Sequence, residues 1–200
     1  MTRIKFCGLK REEDAKYISQ IGCDYAGFIL SAGFKRSVTP EQVVSIKRYL
    51  PEEVKTVGVF VDDDINYVIR MLSEGIIDIA QLHGHEDDVY IIAVKAMTGK
   101  PVIKMFKIRG PEDIVRAKMS PADYVLLDSG TGGTGKVFDW SLAKNMGREF
   151  FLAGGLTPGN VRSAVSTLSP FAVDVSSGVE TDGVKDFEKM KKFAEEVQIL

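Results

Sequence analysis

Short apolar runs, each followed by a stretch with helical periodicity, recur eight times and take up almost the whole chain of 200 residues. They are Ile4 to Cys7, Tyr25 to Leu30, Thr56 to Val61, Ile79 to Leu82, Val102 to Phe106 with Lys104 as a candidate inward cation, Tyr124 to Leu127, Phe150 to Ala153 and Ala172 to Val175. Runs this apolar suit strands covered on both faces, as in a parallel sheet flanked by helices. Between them, Ala15, Ile18 and Ile21 share a face that Gly22 closes, and Thr39-Pro40-Glu41-Gln42 supplies an N-cap, a first-turn proline and a capping-box partner for Val43, Ile46 and Leu50. Ile65, Val68, Ile69 and Leu72 continue the pattern, as do Val89, Ile92, Ala93 and Ala96. Later helices are expected at Pro111 to Lys118, rather short, at Trp140 to Asn145, brief, from Thr157-Pro158 through Leu168, and from Phe187 through Val197. The repeat predicts an α/β fold, a (β/α)8 TIM barrel forming a single compact domain over residues 1–200. A doubly wound sheet would need fewer units, and no GxGxxG follows the first run.

In such a barrel the active residues lie where strands end and loops begin. Cys7 closes the first strand, Arg36 sits in the loop after the second, His83 closes the fourth and Asp128 closes the sixth. Gly154-Gly155 and Ser176-Ser177-Gly178 follow the seventh and eighth, where barrels commonly hold a phosphate through backbone amides and hydroxyls. A phosphorylated small-molecule substrate is therefore expected. A thiol and a carboxylate on nearly opposite sides of the rim suit a base and an acid acting on two sites of one ligand.

Asp128 also opens a glycine- and threonine-rich loop that closes on Phe138-Asp139-Trp140. Gly130 to Lys136 has the spacing of a nucleotide-binding P-loop, but Val137 stands where that motif needs a hydroxyl for Mg²⁺, which leaves an NTPase as a minority alternative.

Composition narrows the partner. A formal net charge of −2 without long runs of one sign gives no reason to expect nucleic acid or an anionic membrane surface. No apolar run approaches the length of a membrane span or the core of a signal peptide, so a cytoplasmic location is expected, with monomer and homodimer both open. Cys7 and Cys23 are too few for a disulfide framework and lack the spacing of a zinc site. Asp62-Asp63-Asp64 reads as helix capping, and His83-Gly84-His85 lacks a third ligand, so no metal is expected. Cys23, ahead of a strand, is assigned no role.

Lys5-Phe6-Cys7-Gly8-Leu9, Gln81-Leu82-His83-Gly84, Leu127-Asp128-Ser129, Gly132 to Trp140, Ala153-Gly154-Gly155-Leu156 and Asp174-Val175-Ser176-Ser177-Gly178-Val179-Glu180 follow one another along the chain. This ordered series resembles the motifs of the phosphoribosylanthranilate isomerase family. Phe6 and Leu9 are larger and more apolar than expected beside the cysteine. The resemblance implies a cofactor-independent aldose–ketose isomerase of tryptophan biosynthesis that performs an Amadori rearrangement. It implies Asp128 as general acid, Cys7 as general base, Arg36 facing the anthranilate carboxylate, Asp174 near the anthranilate amine and His83 at the substrate. Gly154, Gly155, Ser176, Ser177 and Gly178 would hold the phosphate. The rival readings are a histidine-pathway type of barrel isomerase, which would favour aspartate at position 7, and a catalytically idle phosphate-binding barrel.

Overall fold

The computed structural model describes residues 1–130 and 137–198. β1 (Arg3–Cys7), β2 (Tyr25–Ile29), β3 (Lys55–Phe60), β4 (Ile79–Leu82), β5 (Val102–Lys107), β6 (Tyr124–Asp128), β7 (Phe150–Leu152) and β8 (Ala172–Val175) pair in sequence order and in parallel. The ring closes where β8 returns to β1, with Lys5 in register with Asp174. α1 (Glu12–Ile21), α2 (Pro40–Lys47), α3 (Ile65–Ser73), α4 (Asp88–Thr98), α5 (Pro111–Met119), α6 (Val161–Leu168) and α7 (Phe187–Gln198) follow the strands in turn, and among the described residues a 3₁₀ turn (Trp140–Ala143) is the helical element between β6 and β7. The fold is the expected (β/α)8 barrel.

Alternation along each strand divides the core in two. Tyr25, Val57, Ile79, Ile103, Leu126, Phe151 and Ala172 point inward and fill the barrel, with the Phe151 ring edge-on to Tyr25 and to Tyr124. Ile4, Phe6, Phe28, Phe60, Leu82, Leu127 and Val173 point outward beneath the helices. Phe6 thereby meets Phe193 of α7 at 6.0 Å between ring centroids, which explains a large apolar residue beside Cys7. Burying one such ring stabilises the fold by about 1.5–3 kcal/mol.

The capping box at α2 forms as expected: Gln42 N–H donates to Thr39 Oγ1 at 3.3 Å, and Thr39 N–H donates to Gln42 Oε1 at 2.8 Å. Only Asp64 of the three aspartates caps α3, accepting from Asn66 N–H at 2.8 Å. Asp63 instead accepts from Ser31 Oγ, and Asp62 holds His85, so these two tie the loop after β3 to the loops after β2 and β4.

Several local expectations change, the first in α4, which buries Ile91 and Val94 and leaves the expected Val89 and Ile92 exposed. Thr157-Pro158 forms a turn of its own, in which Thr157 N–H donates to Asn160 Oδ1 at 2.8 Å, and α6 starts only at Val161. The helix expected from Trp140 shortens to the 3₁₀ turn, its first residues held by Asp139 accepting from Ser141 N–H at 2.9 Å. Lys104 lies on the outer face, next to inward Ile103, and its ammonium donates to Glu86 at 2.8 Å and to the Gly84 carbonyl at 2.7 Å. After β8 a small antiparallel hairpin, β9 (Glu180–Thr181) and β10 (Val184–Lys185), turns through Asp182 and Gly183, both at positive φ.

Candidate active site

The strand ends and following loops enclose a cavity of about 410 Å³ at the C-terminal mouth of the barrel. Every residue singled out for the site lines it: Cys7, Arg36, His83, Asp128, Gly154, Gly155, Asp174, Ser176, Ser177 and Gly178. Residues 131–136, which hold most of the P-loop-like spacing, lie outside the described residues.

Cys7 is the last residue of β1 and is buried. Burial pushes its thiol above the ordinary range; the Lys5 ammonium pulls it back, Asp174 adds to the rise, and Lys185 favours the thiolate. Cys23 is half-buried, lines no part of this cavity, and its Sγ donates to the Tyr25 carbonyl at 3.4 Å. Asp128 ends β6, where its Oδ1 accepts from Gly130 N–H at 2.7 Å, so the carboxylate is held by the first residues of its own loop.

Gly154 is pressed against that carboxylate. Its φ is +84°, and a Cβ there would lie 2.8 Å from Asp128 Oδ1 and 2.6 Å from Ser129 N, so any other residue would have to displace the carboxylate or the loop. The loop after β7 is pinned by Asn160, whose Nδ2 donates to the Gly155 carbonyl at 2.9 Å.

His83 follows β4 directly. Burial lowers its pKa, against opposing pulls from Asp128 and Asp174, so the ring is neutral near pH 7. Its Nδ1 lies 3.0 Å from the Gln81 amide at Nε2, so Gln81 orients the ring. His83 is thereby held in one orientation as a neutral imidazole.

Arg36 is fastened on the other side of the mouth. Its Nε donates to Glu180 Oε1 at 2.8 Å and its Nη2 to Glu180 Oε2 at 2.9 Å. Nη1 and one proton of Nη2 remain for a ligand. Lys185, buried at the end of the hairpin, donates to Glu180 Oε1 at 2.7 Å and to the Ser176 carbonyl at 3.0 Å, which couples the Arg36 anchor to the loop after β8.

Four residues at or beneath the mouth carry no role in the sequence reading: Lys5, Gln81, Glu180 and Lys185. Lys5 is wholly buried and donates to Asp174 Oδ1 at 3.0 Å. A lysine two positions before Cys7 on a buried strand was the available signal, because period-two alternation sends both side chains inward. The hairpin that delivers Glu180 and Lys185 was signalled by Asp182-Gly183, a turn pair flanked by Thr181 and Val184. Among the described residues no group of acidic, histidine or cysteine side chains could hold a metal ion, and no helix is long and apolar enough to cross a membrane.

A family model for N-(5'phosphoribosyl)anthranilate (PRA) isomerase matches residues 4–196. The N-(5'-phosphoribosyl)anthranilate isomerase of Endomicrobium trichonymphae is 43% identical over 204 residues, covering 100% of this chain and 98% of the relative. The crystal structure of phosphoribosyl anthranilate isomerase from Thermotoga maritima superposes with a TM-score of 0.91 at 37% identity, covering 100% of both chains. A phosphoribosyl anthranilate isomerase in complex with reduced 1-(o-carboxyphenylamino)-1-deoxyribulose 5-phosphate superposes with a TM-score of 0.89 at 36% identity, again over 100% of both chains. Matched in sequence and in barrel over its whole length, this chain belongs to the N-(5'-phosphoribosyl)anthranilate isomerase family.

Proposed function

We propose that the chain catalyses the Amadori rearrangement of N-(5-phosphoribosyl)anthranilate to 1-(2-carboxyphenylamino)-1-deoxyribulose 5-phosphate, the isomerase step of tryptophan biosynthesis, with Asp128 as general acid and Cys7 as general base. The observation that carries the division of labour is that one cavity is lined by a thiol from β1 and a carboxylate from β6, nearly across the ring from each other, with two glycine- and serine-rich loops beside them. A ligand stretched between the loops and Arg36 would pass between the two proton handlers.

Asp128 gives its proton to the furanose ring oxygen as the bond from that oxygen to C1′ breaks, and the open chain becomes a Schiff base. Cys7, as thiolate, removes the C2′ proton, and the electron pair moves into a C1′–C2′ double bond to give an enolamine. Return of a proton to C1′ and loss of the C2′ hydroxyl proton yields the ketone. C2′ is oxidised and C1′ reduced within one molecule, so the atoms and electrons balance without a redox partner.

The free edge of the Arg36 guanidinium meets the anthranilate carboxylate, and its pairing with Glu180 keeps that edge in one orientation. Asp174 accepts from the anthranilate amine, and the neutral His83 hydrogen-bonds to a sugar oxygen. The loops at Gly154-Gly155 and Ser176-Ser177-Gly178 take the phosphate through amides and hydroxyls. The work is cytoplasmic and needs only the phosphorylated substrate. The test is loss of anthranilate-amine fluorescence when the purified chain meets freshly made phosphoribosylanthranilate; no turnover above the uncatalysed rate would sink the reading.

A further inference from the structure

Lys5 is wholly buried inside the barrel. Its ammonium donates to Asp174 Oδ1 at 3.0 Å, and the two residues face each other across the β1–β8 seam. Another boundary of the ammonium is set by Gly27 on β2, the residue in register with Cys7. A Cβ at Gly27 would lie 2.9 Å from Cys7 Sγ and 3.1 Å from Lys5 Nζ. Ammonium and sulfur therefore border the same small space, and a side chain at Gly27 would wedge between them.

A buried ion pair is weak evidence for stability, because neutral residues of the same volume often serve as well. Something other than packing must explain a lysine at this depth, and besides its partner Asp174 the group bordering the ammonium that gains from its charge is the sulfur. We infer that Lys5 is a positioning residue for the base: its ammonium, fixed by Asp174 and given room by Gly27, supplies the positive charge against which the Cys7 thiolate forms. The inference rests on Cys7 acting as the base in the rearrangement.

The electrostatics agree in direction. Burial alone would discharge Lys5, but Asp174 and Cys7 outweigh it and hold the ammonium above its ordinary pKa, so it stays charged at neutral pH. At the sulfur, burial opposes ionisation and Lys5 is the largest influence favouring it, ahead of the contrary pull of Asp174. Lys185, from β10, adds a smaller favourable charge, and His83 and Asp128 line the same cavity from β4 and β6. An ion pair that merely closed the β1–β8 seam would make the opposite forecast: its removal would lower activity equally at every pH.

The experiment follows alkylation of Cys7 by iodoacetamide against pH in a Cys23→Ser background, together with the pH profile of kcat/KM for phosphoribosylanthranilate. In Lys5→Met the alkylation midpoint should rise by about one pH unit or more. At pH 7 kcat/KM should fall by about tenfold or more and recover as pH rises, since one unit is tenfold in thiolate. Lys5→Arg, which keeps the charge, should restore part of the loss. An unchanged alkylation midpoint, or a loss of rate independent of pH, would overturn the inference alone. A shifted midpoint with an unshifted kcat/KM profile would overturn Cys7 as the base, and the inference with it. Should Lys5→Met fail to fold, Lys5→Met with Asp174→Asn leaves no lone charge buried. Its alkylation midpoint should still rise, because the ammonium borders the sulfur at Gly27 while Asp174 is bound to the ammonium, and an unmoved midpoint there is equally contradictory.

Discussion

Arg36 and Glu180 are joined at two points, Nε to Oε1 at 2.8 Å and Nη2 to Oε2 at 2.9 Å, across 144 residues of sequence. The pair ties the loop after β2 to the hairpin after β8 and spends one fork of the guanidinium on structure. What is left for a substrate is a smaller, better-oriented edge. An arginine preorganised in this way would meet a substrate carboxylate without having to search for its conformation.

Arg36→Ala should therefore raise KM more than it lowers kcat, because it removes binding to a carboxylate that does not react. Arg36→Lys should rescue little, since one ammonium cannot hold both oxygens of Glu180 and still reach a ligand. Steady-state kinetics of the three proteins decides this; a fall in kcat with KM unchanged would place Arg36 at the chemistry instead.

Glu180 gives the acid limb of stability. Its burial would raise its pKa, but hydrogen bonds from Arg36 and Lys185 outweigh this and hold the carboxyl down at about 2. Its contribution to folding is thus fully present above the ordinary glutamate value of about 4.3 and is lost as pH falls from there through about 2. Urea denaturation across that window should show Glu180→Gln losing less stability on acidification than the wild type. At neutral pH the same variant should be less stable by about 3–5 kcal/mol, because Lys185, 1% exposed in its side chain, loses its counter-charge. Parallel acid profiles for the two proteins would show that Glu180 does not carry this limb.

Gly154→Ala tests the packing between the loop after β7 and Asp128. The added Cβ meets the carboxylate at 2.8 Å on a backbone with φ of +84°. Positive φ alone costs a non-glycine residue about 1–2 kcal/mol, which a barrel of this size can absorb. The expected result is a folded protein with kcat/KM down by about 10²-fold, the loss typical of a small misplacement of reacting groups. Unimpaired catalysis would mean that the Asp128 position tolerates movement.

The barrel was legible because the signal is repeated: each apolar run is weak alone, yet eight in series with helical patterns between them admit few architectures. The mouth was legible for the same reason, since once strands are located, Cys7, His83 and Asp128 fall at their ends by counting. What stayed hidden was set by partners far away in sequence. That Arg36 is half committed depends on Glu180, and Glu180 arrives on a hairpin whose strands have two residues each, too short for a hydrophobic pattern to reveal. Alternation puts Lys5 on the same face as Cys7, but that ammonium and sulfur border one space depends on the missing side chain of Gly27 on another strand. Lys104 faces outward because Glu86 and the Gly84 carbonyl receive its charge there, and neither partner can be read from the strand itself.

Whether Cys7 and Asp128 divide the proton transfers is decided by kcat in Cys7→Ser and Asp128→Asn alongside binding of the reduced product analogue. Serine is too weak an acid to supply a base near neutral pH, and asparagine keeps the shape of the aspartate but has no proton to give. Positioned acid or base catalysis contributes about 10²–10⁴-fold, so each substitution should lower kcat by that order while the dissociation constant of the analogue stays within about tenfold. Near-normal kcat in either variant would contradict the account, because the group removed could then be neither the acid nor the base.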